Sequence, residues 1–179
     1  MTGPTDEERD RVRGYLMSQG ERYDWVELWP RVISARIDLL GSFDGVTEEQ
    51  AAFDPGGDDW SIAEIAHHVL NGARGTAITV EQLAKGEEPP ERTRVDPQRE
   101  PPTASFVETR RALAEQSVEW AALAGTLPEP PSLELTRLHQ FFGELHCRAW
   151  YLFQRVHDQD HMGQVQQVKD AAGYPDAEG

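Results

Sequence analysis

The sequence predicts an all-α protein, a four-helix bundle with a long crossover loop between helices 2 and 3 and an extra N-terminal helix. Apolar residues recur every three or four positions along several segments, and almost none alternate with period two. Capping-box patterns mark helix starts. A long proline-rich stretch divides the helical segments in the middle of the chain, so the bundle need not be up-down-up-down.

The first helix is predicted to begin at a capping box formed by Thr5 and Glu8 and to run towards Gly20. Because this segment is short and highly charged, we treat residues 1–29 as accessory and residues 30–172 as the bundle, within one predicted domain, 1–179.

The next helix is predicted to begin or to kink at Pro30, since proline removes a helical hydrogen bond and clashes with the preceding turn. It ends near 41–45, and a brief helical turn is expected after Thr47. Its predicted core stripe comprises Val26, Trp29, Ile33, Ile37 and Leu40.

The clearest helix start is the capping box of Ser61 and Glu64, flanked by Trp60 and Ile65 at the hydrophobic-staple positions. The helix that follows is predicted to turn these residues inward: Ile62, Ile65, Val69, Ala73, Thr76, Val80 and Leu83.

Residues 86–102 hold five prolines and almost no apolar side chain, which predicts a long connection without helix. Thr103 is expected to cap the third main helix, which Gly125 closes. Its predicted apolar residues are Phe106, Leu113, Val118, Trp120 and Leu123. The last helix is predicted to begin near 132–136 and to reach about Ala172.

Charge and composition exclude several function classes. The 179 residues include 17 Lys and Arg against 32 Asp and Glu, a net charge of −15, which argues against nucleic acid as a partner. A single cysteine, Cys147, forms no intramolecular disulfide and is expected to be a buried apolar residue. With no secretory signal and no apolar run of about 20 residues, we expect a soluble, cytoplasmic protein that does not bind membranes.

Two histidines provide the best candidate chemistry. His157 and His161 are four residues apart, so both imidazoles lie on one helix face and can reach one metal ion. A third ligand would come from His67 or His68, and periodicity favours His68 only slightly. The alternative is a pair of core histidines satisfied by hydrogen bonds.

The other candidate residues are expected to have lesser roles. His139 and His146 are too far along the last helix to join the same ion, so we interpret them as packing or hydrogen-bonding residues. Asp160 is interpreted as an exposed charge, or alternatively as a partner that orients a ligating imidazole. No Glu-x-x-His pair precedes His157 or His161, which argues against a di-iron site. Motifs of serine hydrolases, nucleoside triphosphatases and dinucleotide-binding proteins are absent from the sequence.

Two short motifs give the sequence a family resemblance: Trp60-Ser61-x3-Ile65-x2-His68-Val69 and His157-x3-His161-x2-Gln164-Val165. Over residues from about Pro30 to Ala172, the chain resembles the DinB/YfiT-like superfamily. The resemblance implies a four-helix bundle with a long link between helices 2 and 3, and it implies His68, His157 and His161 as the metal ligands. Members of this family are often dimers, so it also implies a homodimer.

The resemblance and the three histidines together predict a divalent-metal-dependent enzyme acting on a small-molecule substrate. The metal would be zinc, nickel, iron or copper, since imidazole ligands accept all four. The family implies a low-molecular-weight-thiol S-transferase, with mycothiol or bacillithiol as the thiol. The alternatives are a metal-dependent hydrolase and a non-catalytic dimeric binding or stress protein.

Overall fold

The computed structural model describes residues 5–89 and 99–176. Its elements in chain order are α1 (Asp6–Arg22), α2 (Trp25–Ser42), α3 (Glu48–Ala52), α4 (Ile62–Lys85), α5 (Phe106–Ala124), β1 (Thr136–His139), β2 (Gly143–His146) and α6 (Cys147–Lys169). Among these residues no helix is both long and apolar enough to cross a bilayer.

Polar side chains define where the helices begin. The predicted capping boxes at Thr5 and Ser61 are present, and the short helix after Thr47 is confirmed as α3. The prediction that Thr103 caps the third main helix is wrong, because Ser105 is the N-cap of α5. Ser105 is followed three residues later by Glu108, which completes a capping box, whereas no acidic or amide side chain stands three residues after Thr103.

Four long helices form the bundle, as the sequence predicts. α2 and α4 each pack on α5 and on α6, so the helices follow one another around the bundle in the order α2, α5, α4, α6. The connection from α4 to α5 has no regular structure at 87–89 or at 99–105 except bends, and the remainder of the predicted 86–102 link, residues 90–98, lies outside the described residues.

The N-terminal segment contributes to the core. α1 packs on α6 and β2, and its Leu16 is fully buried together with Trp25 and Leu28 of α2. The segment that the sequence marks as accessory therefore shares a hydrophobic cluster with the first half of α6.

The predicted core stripe of α2 is wrong at three of its five positions, whereas Ile33 and Leu40 are partly buried and pack against the core. Val26 and Ile37 are 70% and 62% exposed, and Trp29 is also exposed. The helix begins at Trp25, before Pro30, and it buries the neighbouring face instead: Trp25, Leu28, Val32, Ala35, Arg36 and Leu39. Both faces are apolar, but the buried face also contains Arg36, which forms an ion pair with Asp158 in the core.

The last helix starts later than the sequence predicts, because residues 136–146 form an antiparallel hairpin. Gly143 has φ of +69°, a conformation that a helix interior does not accommodate. At the turn, Nδ1 of His139 accepts hydrogen bonds from the backbone amides of Phe141 and Phe142. α6 then begins at Cys147, and its N-cap is His146, whose Nδ1 accepts from Ala149 N at 3.2 Å.

A buried ion pair connects α2 with α6. Arg36 Nε donates to Asp158 Oδ2 at 2.8 Å and Nη2 donates to Oδ1 at 3.2 Å, with both side chains at most 2% exposed. Arg36 Nη1 also donates to Gln116 of α5, and Gln154 donates to Asp158 Oδ1 at 2.7 Å. The network therefore fixes α6 relative to α2 and α5 immediately beside His157.

Arg36→Ala should lower the free energy of unfolding by about 3–5 kcal/mol, because it leaves Asp158 buried without its counter-charge. Arg111→Ala, which breaks the exposed pair of Arg111 with Glu115, is the matched control and should cost about 0.5 kcal/mol or less. Urea denaturation at pH 7, followed by circular dichroism, measures both. Equal losses in the two variants would contradict the role assigned to the buried pair.

Candidate metal centre

Three imidazoles meet between α4 and α6. Nε2 of His157 lies 3.2 Å from Nε2 of His68 and 3.1 Å from Nε2 of His161. The ligand atoms of the three residues all lie within 4.8 Å of one another, and no carboxylate or thiol of the described residues belongs to the group. The structure thus brings together the three histidines that the sequence analysis selects.

Ordinary helix geometry produces this convergence. His157 and His161 lie one turn apart on α6, and His68 projects from the facing turn of α4. The capping box at Ser61 sets the start of α4, and Trp60, just before it, packs edge-on against the His68 ring at 4.9 Å between centroids.

A chain of hydrogen bonds fixes the protonation of His161. Gln164 Nε2 donates to the Asp160 carboxylate at 3.2 Å, so the amide oxygen of Gln164 faces His161 Nδ1, at 2.9 Å. Because that oxygen only accepts, Nδ1 of a neutral His161 carries the hydrogen and Nε2 presents a lone pair to the cluster. Metal-ligating histidines typically make such a hydrogen bond through the ring nitrogen that does not bind the metal.

Burial keeps the cluster neutral. Loss of hydration, reinforced by His161 and His67 nearby, lowers the pKa of His68 to about 3. Burial lowers the pKa of His161 to about 4, although its bond with Gln164 acts in the opposite direction. Burial also holds the pKa of His157 well below its usual range, with further contributions from its two neighbours and from Arg36. All three imidazoles are therefore in the neutral form that binds metal near pH 7.

The arrangement fits a cation better than it fits hydrogen bonds alone. Nε2 of His157 carries either a hydrogen or a lone pair, so it cannot make full hydrogen bonds to both His68 and His161. A cation about 2.0–2.1 Å from each nitrogen would satisfy all three lone pairs, and an ideal tetrahedral site at that distance places its nitrogens about 3.3–3.4 Å apart. The observed separations of 3.1 and 3.2 Å are slightly shorter, so a small outward shift of the rings would accommodate the cation.

Aromatic rings surround the cluster. Besides Trp60, which also stacks 6.5 Å from His161, Phe153 of α6 lies 5.4 Å from the His157 ring. Gly72 faces the same ring from α4. The walls are apolar, which strengthens electrostatic interactions inside the site.

His67, the alternative ligand, does not join the cluster. It is 8% exposed, and its Nε2 lies 2.9 Å from the side-chain nitrogen of Asn71. Of the two neighbours, His68 is therefore the one that lies in the cluster.

The remaining candidates have structural roles. His139 and His146 are buried and hydrogen-bonded as predicted, but they lie in the hairpin rather than on α6. Cys147 is fully buried, as predicted, and burial raises the pKa of its thiol to about 11. Asp160 is exposed, and it acts on His161 only through Gln164, so both interpretations of this residue hold in part.

Sequence reasoning missed two neighbours of the cluster, Gly72 and Phe153. Each is four residues from a candidate ligand, Gly72 after His68 and Phe153 before His157. That spacing places each on the same helix face as the ligand and is the signal that could have identified them.

Comparisons with known proteins agree with the helical-bundle fold. The sequence model of the DinB superfamily matches residues 32–165. Among solved structures, YfiT from Bacillus subtilis, a probable metal-dependent hydrolase with an unusual four-helix bundle topology, superposes with a TM-score of 0.59 at 14% identity. The match covers 98% of this chain and 93% of that one. No curated protein matches the sequence.

The metal-free protein should lose stability in acid through these histidines. The unfolded chain takes up protons below about pH 6.5, whereas folded His68 and His161 resist protonation until about pH 3 and 4. Their contribution is therefore complete above pH 6.5 and is lost as the pH falls, by roughly 3 kcal/mol for each histidine at pH 4.

Urea denaturation between pH 4 and pH 7 in the presence of a chelator measures this loss. His161→Leu should flatten the profile relative to the wild type, since the variant lacks one of the groups that the unfolded chain protonates. Parallel profiles would show that His161 takes up its proton equally in both states.

Proposed function

The chain belongs to the DinB superfamily, and we propose that it is a metal-dependent enzyme whose divalent cation is held by His68, His157 and His161. The single observation that carries this proposal is the convergence of three neutral imidazoles, of which His161 is buried and the other two are half-buried, with the Nε2 lone pair of His161 directed to the centre by Gln164. Zinc, nickel, iron and copper all suit three imidazoles.

The donor set favours catalysis over a purely structural site. Structural zinc sites are closed by four protein ligands, whereas this group offers three among the described residues. A cation held there would supply Lewis acidity, lowering the pKa of a water or a thiol that fills the remaining position.

We propose thiol S-transfer to a small electrophile as the reaction, with mycothiol or bacillithiol as the thiol. In this reaction the thiolate sulfur bonds to the electrophilic carbon, the leaving group departs with the bonding electrons, and the thiol proton passes to solvent. The nearest buried carboxylate on α6, Asp158, is committed to Arg36 and Gln154, so it is not available as a general base. A thiol, which ionises more easily than water, depends less on such a base.

Hydrolysis is the second candidate, favoured by the description of YfiT, whose fold this chain shares. A direct test incubates the metal-loaded protein with an electrophilic aryl halide, with and without each thiol, and separately with ester and amide substrates. Thiol-dependent conjugate formation supports transfer, and thiol-independent cleavage supports hydrolysis. If the metal-loaded protein gives neither product, the histidines belong to a non-catalytic binding protein.

Metal should stabilise the protein without being required for folding. Binding to the native state adds about 2.7 kcal/mol at a hundredfold excess over Kd, which corresponds to a rise in Tm of about 5–10 °C. The gain should fade below about pH 6, because the imidazoles must stay neutral to bind. Calorimetry with and without added zinc or nickel measures it.

Replacing the three ligands by alanine (His68→Ala, His157→Ala, His161→Ala) should abolish the shift and leave helicity intact. His67→Ala is the matched control, since it removes a neighbouring histidine of α4 that does not face the cluster. An unfolded metal-free wild type at neutral pH would instead indicate a structural site.

We also propose that the protein is a homodimer and that the exposed apolar face of α2 forms its interface. Val26, Trp29 and Ile37 lie on this face, which is about 16 Å long between its outer residues. Two copies related by a two-fold axis can pack such faces together, so that Val26 of one copy meets Ile37 of the other.

Trp29→Glu combined with Ile37→Glu should convert the dimer to a monomer in sedimentation velocity experiments. Both positions are exposed within the chain, so its folding should be unaffected. Val118→Glu on α5, at an apolar position that is 70% exposed, is the control and should leave the dimer intact. A wild-type monomer at every concentration would contradict the proposal.

A further inference from the structure

Gly72 occupies a position in α4 where the backbone has no need of glycine. It lies one turn after His68 in the middle of a regular helix, and its φ is not positive. Glycine destabilises a helix interior relative to alanine, so the fold itself would favour a side chain here.

The space beside Gly72 adjoins the His157 ring of the histidine cluster. A methyl group at this position would lie 3.4 Å from Cε1 and 3.7 Å from Nε2 of His157. These are ordinary van der Waals distances, so alanine fits without displacing the ring. The methyl would nevertheless fill the space next to the nitrogen that faces the proposed cation.

Other sides of the cluster are already covered. Trp60 packs against His68 and His161, and Phe153 packs against His157. Gly72 places no side chain against the remaining edge of the His157 ring, the one that bears Cε1 and Nε2.

We infer that Gly72 keeps open the space in which a non-protein ligand binds beside His157, and that it thereby sets the largest ligand the site accepts. The inference rests on the proposed function, because the ligand in question completes the coordination of the proposed cation. Gly72 is thus a specificity-determining residue, and its substitution should affect bulky ligands more than small ones.

The experiment compares wild type, Gly72→Ala and Gly163→Ala, each loaded with Co²⁺, whose visible spectrum reports ligand binding. Gly163 is the matched control, because it is also inside a helix, is exposed, and a methyl there would meet nothing within 4 Å. Azide serves as the small probe and benzenethiol as the bulky one. Metal analysis precedes every titration.

All three proteins should bind one Co²⁺ per chain, and both variants should raise the Tm of the metal-free protein by about 2–4 °C. Gly72→Ala should weaken benzenethiol binding by roughly tenfold or more and azide binding by less than about threefold. Gly163→Ala should bind both probes like the wild type.

Three results would overturn the inference. Unchanged benzenethiol binding in Gly72→Ala would show that the ligand does not use this space. Loss of Co²⁺ in Gly72→Ala alone would show that Gly72 serves the placement of His157 instead. A wild type that binds no Co²⁺ would remove the proposed function as well, and metal analysis identifies that case before any ligand is added.

Discussion

The buried pair of Arg36 and Asp158 is the interaction on which the rest of the structure depends. Successive residues of a helix differ in direction by about 100°, so the direction of Asp158 fixes the direction of His157 beside it. Rotating α6 would withdraw a fully buried carboxylate from its guanidinium partner, at a cost of several kcal/mol. The pair therefore holds the neighbouring face of α6, with His157 and His161, against α4.

The same turn of α6 carries an ion-paired carboxylate, Asp158, and two neutral imidazoles, His157 and His161. On one side, opposite charges are matched within a network that includes Gln116 and Gln154. On the other side, imidazoles remain neutral because burial penalises their protonation. A packed core tolerates the ion pair because its two charges neutralise each other, and it tolerates the imidazoles because they are uncharged. The unprotonated nitrogens of the imidazoles are then available for a cation.

The sequence predicts the site better than it predicts the helix faces around it. An i,i+4 histidine pair and a capped helix start are local patterns, and local patterns survive whatever the tertiary context. Periodicity alone left His67 and His68 undecided, and only the family resemblance and then the packing of α4 separate them. The face that α2 buries contains Arg36, and nothing local in the sequence shows that Asp158, 122 positions away, neutralises it. The hairpin was missed because His146 acts as an N-cap, a role that Ser, Thr, Asp and Asn usually have.

Because α1 packs into the core, the packed structure begins well before the residues that the family model matches. Similarity to the superfamily begins at residue 32, inside α2, after Trp25 and Leu28 have already entered the core. Leu16 is fully buried, and the Cβ position of Gly20 falls 2.6 Å from the ring of His146, so α1 lies directly on the start of α6. A fragment cut at the edge of the matched region would thus expose the interior of the hydrophobic cluster at that end. The first residue that the family model matches and the first residue that the core requires are different places in this chain.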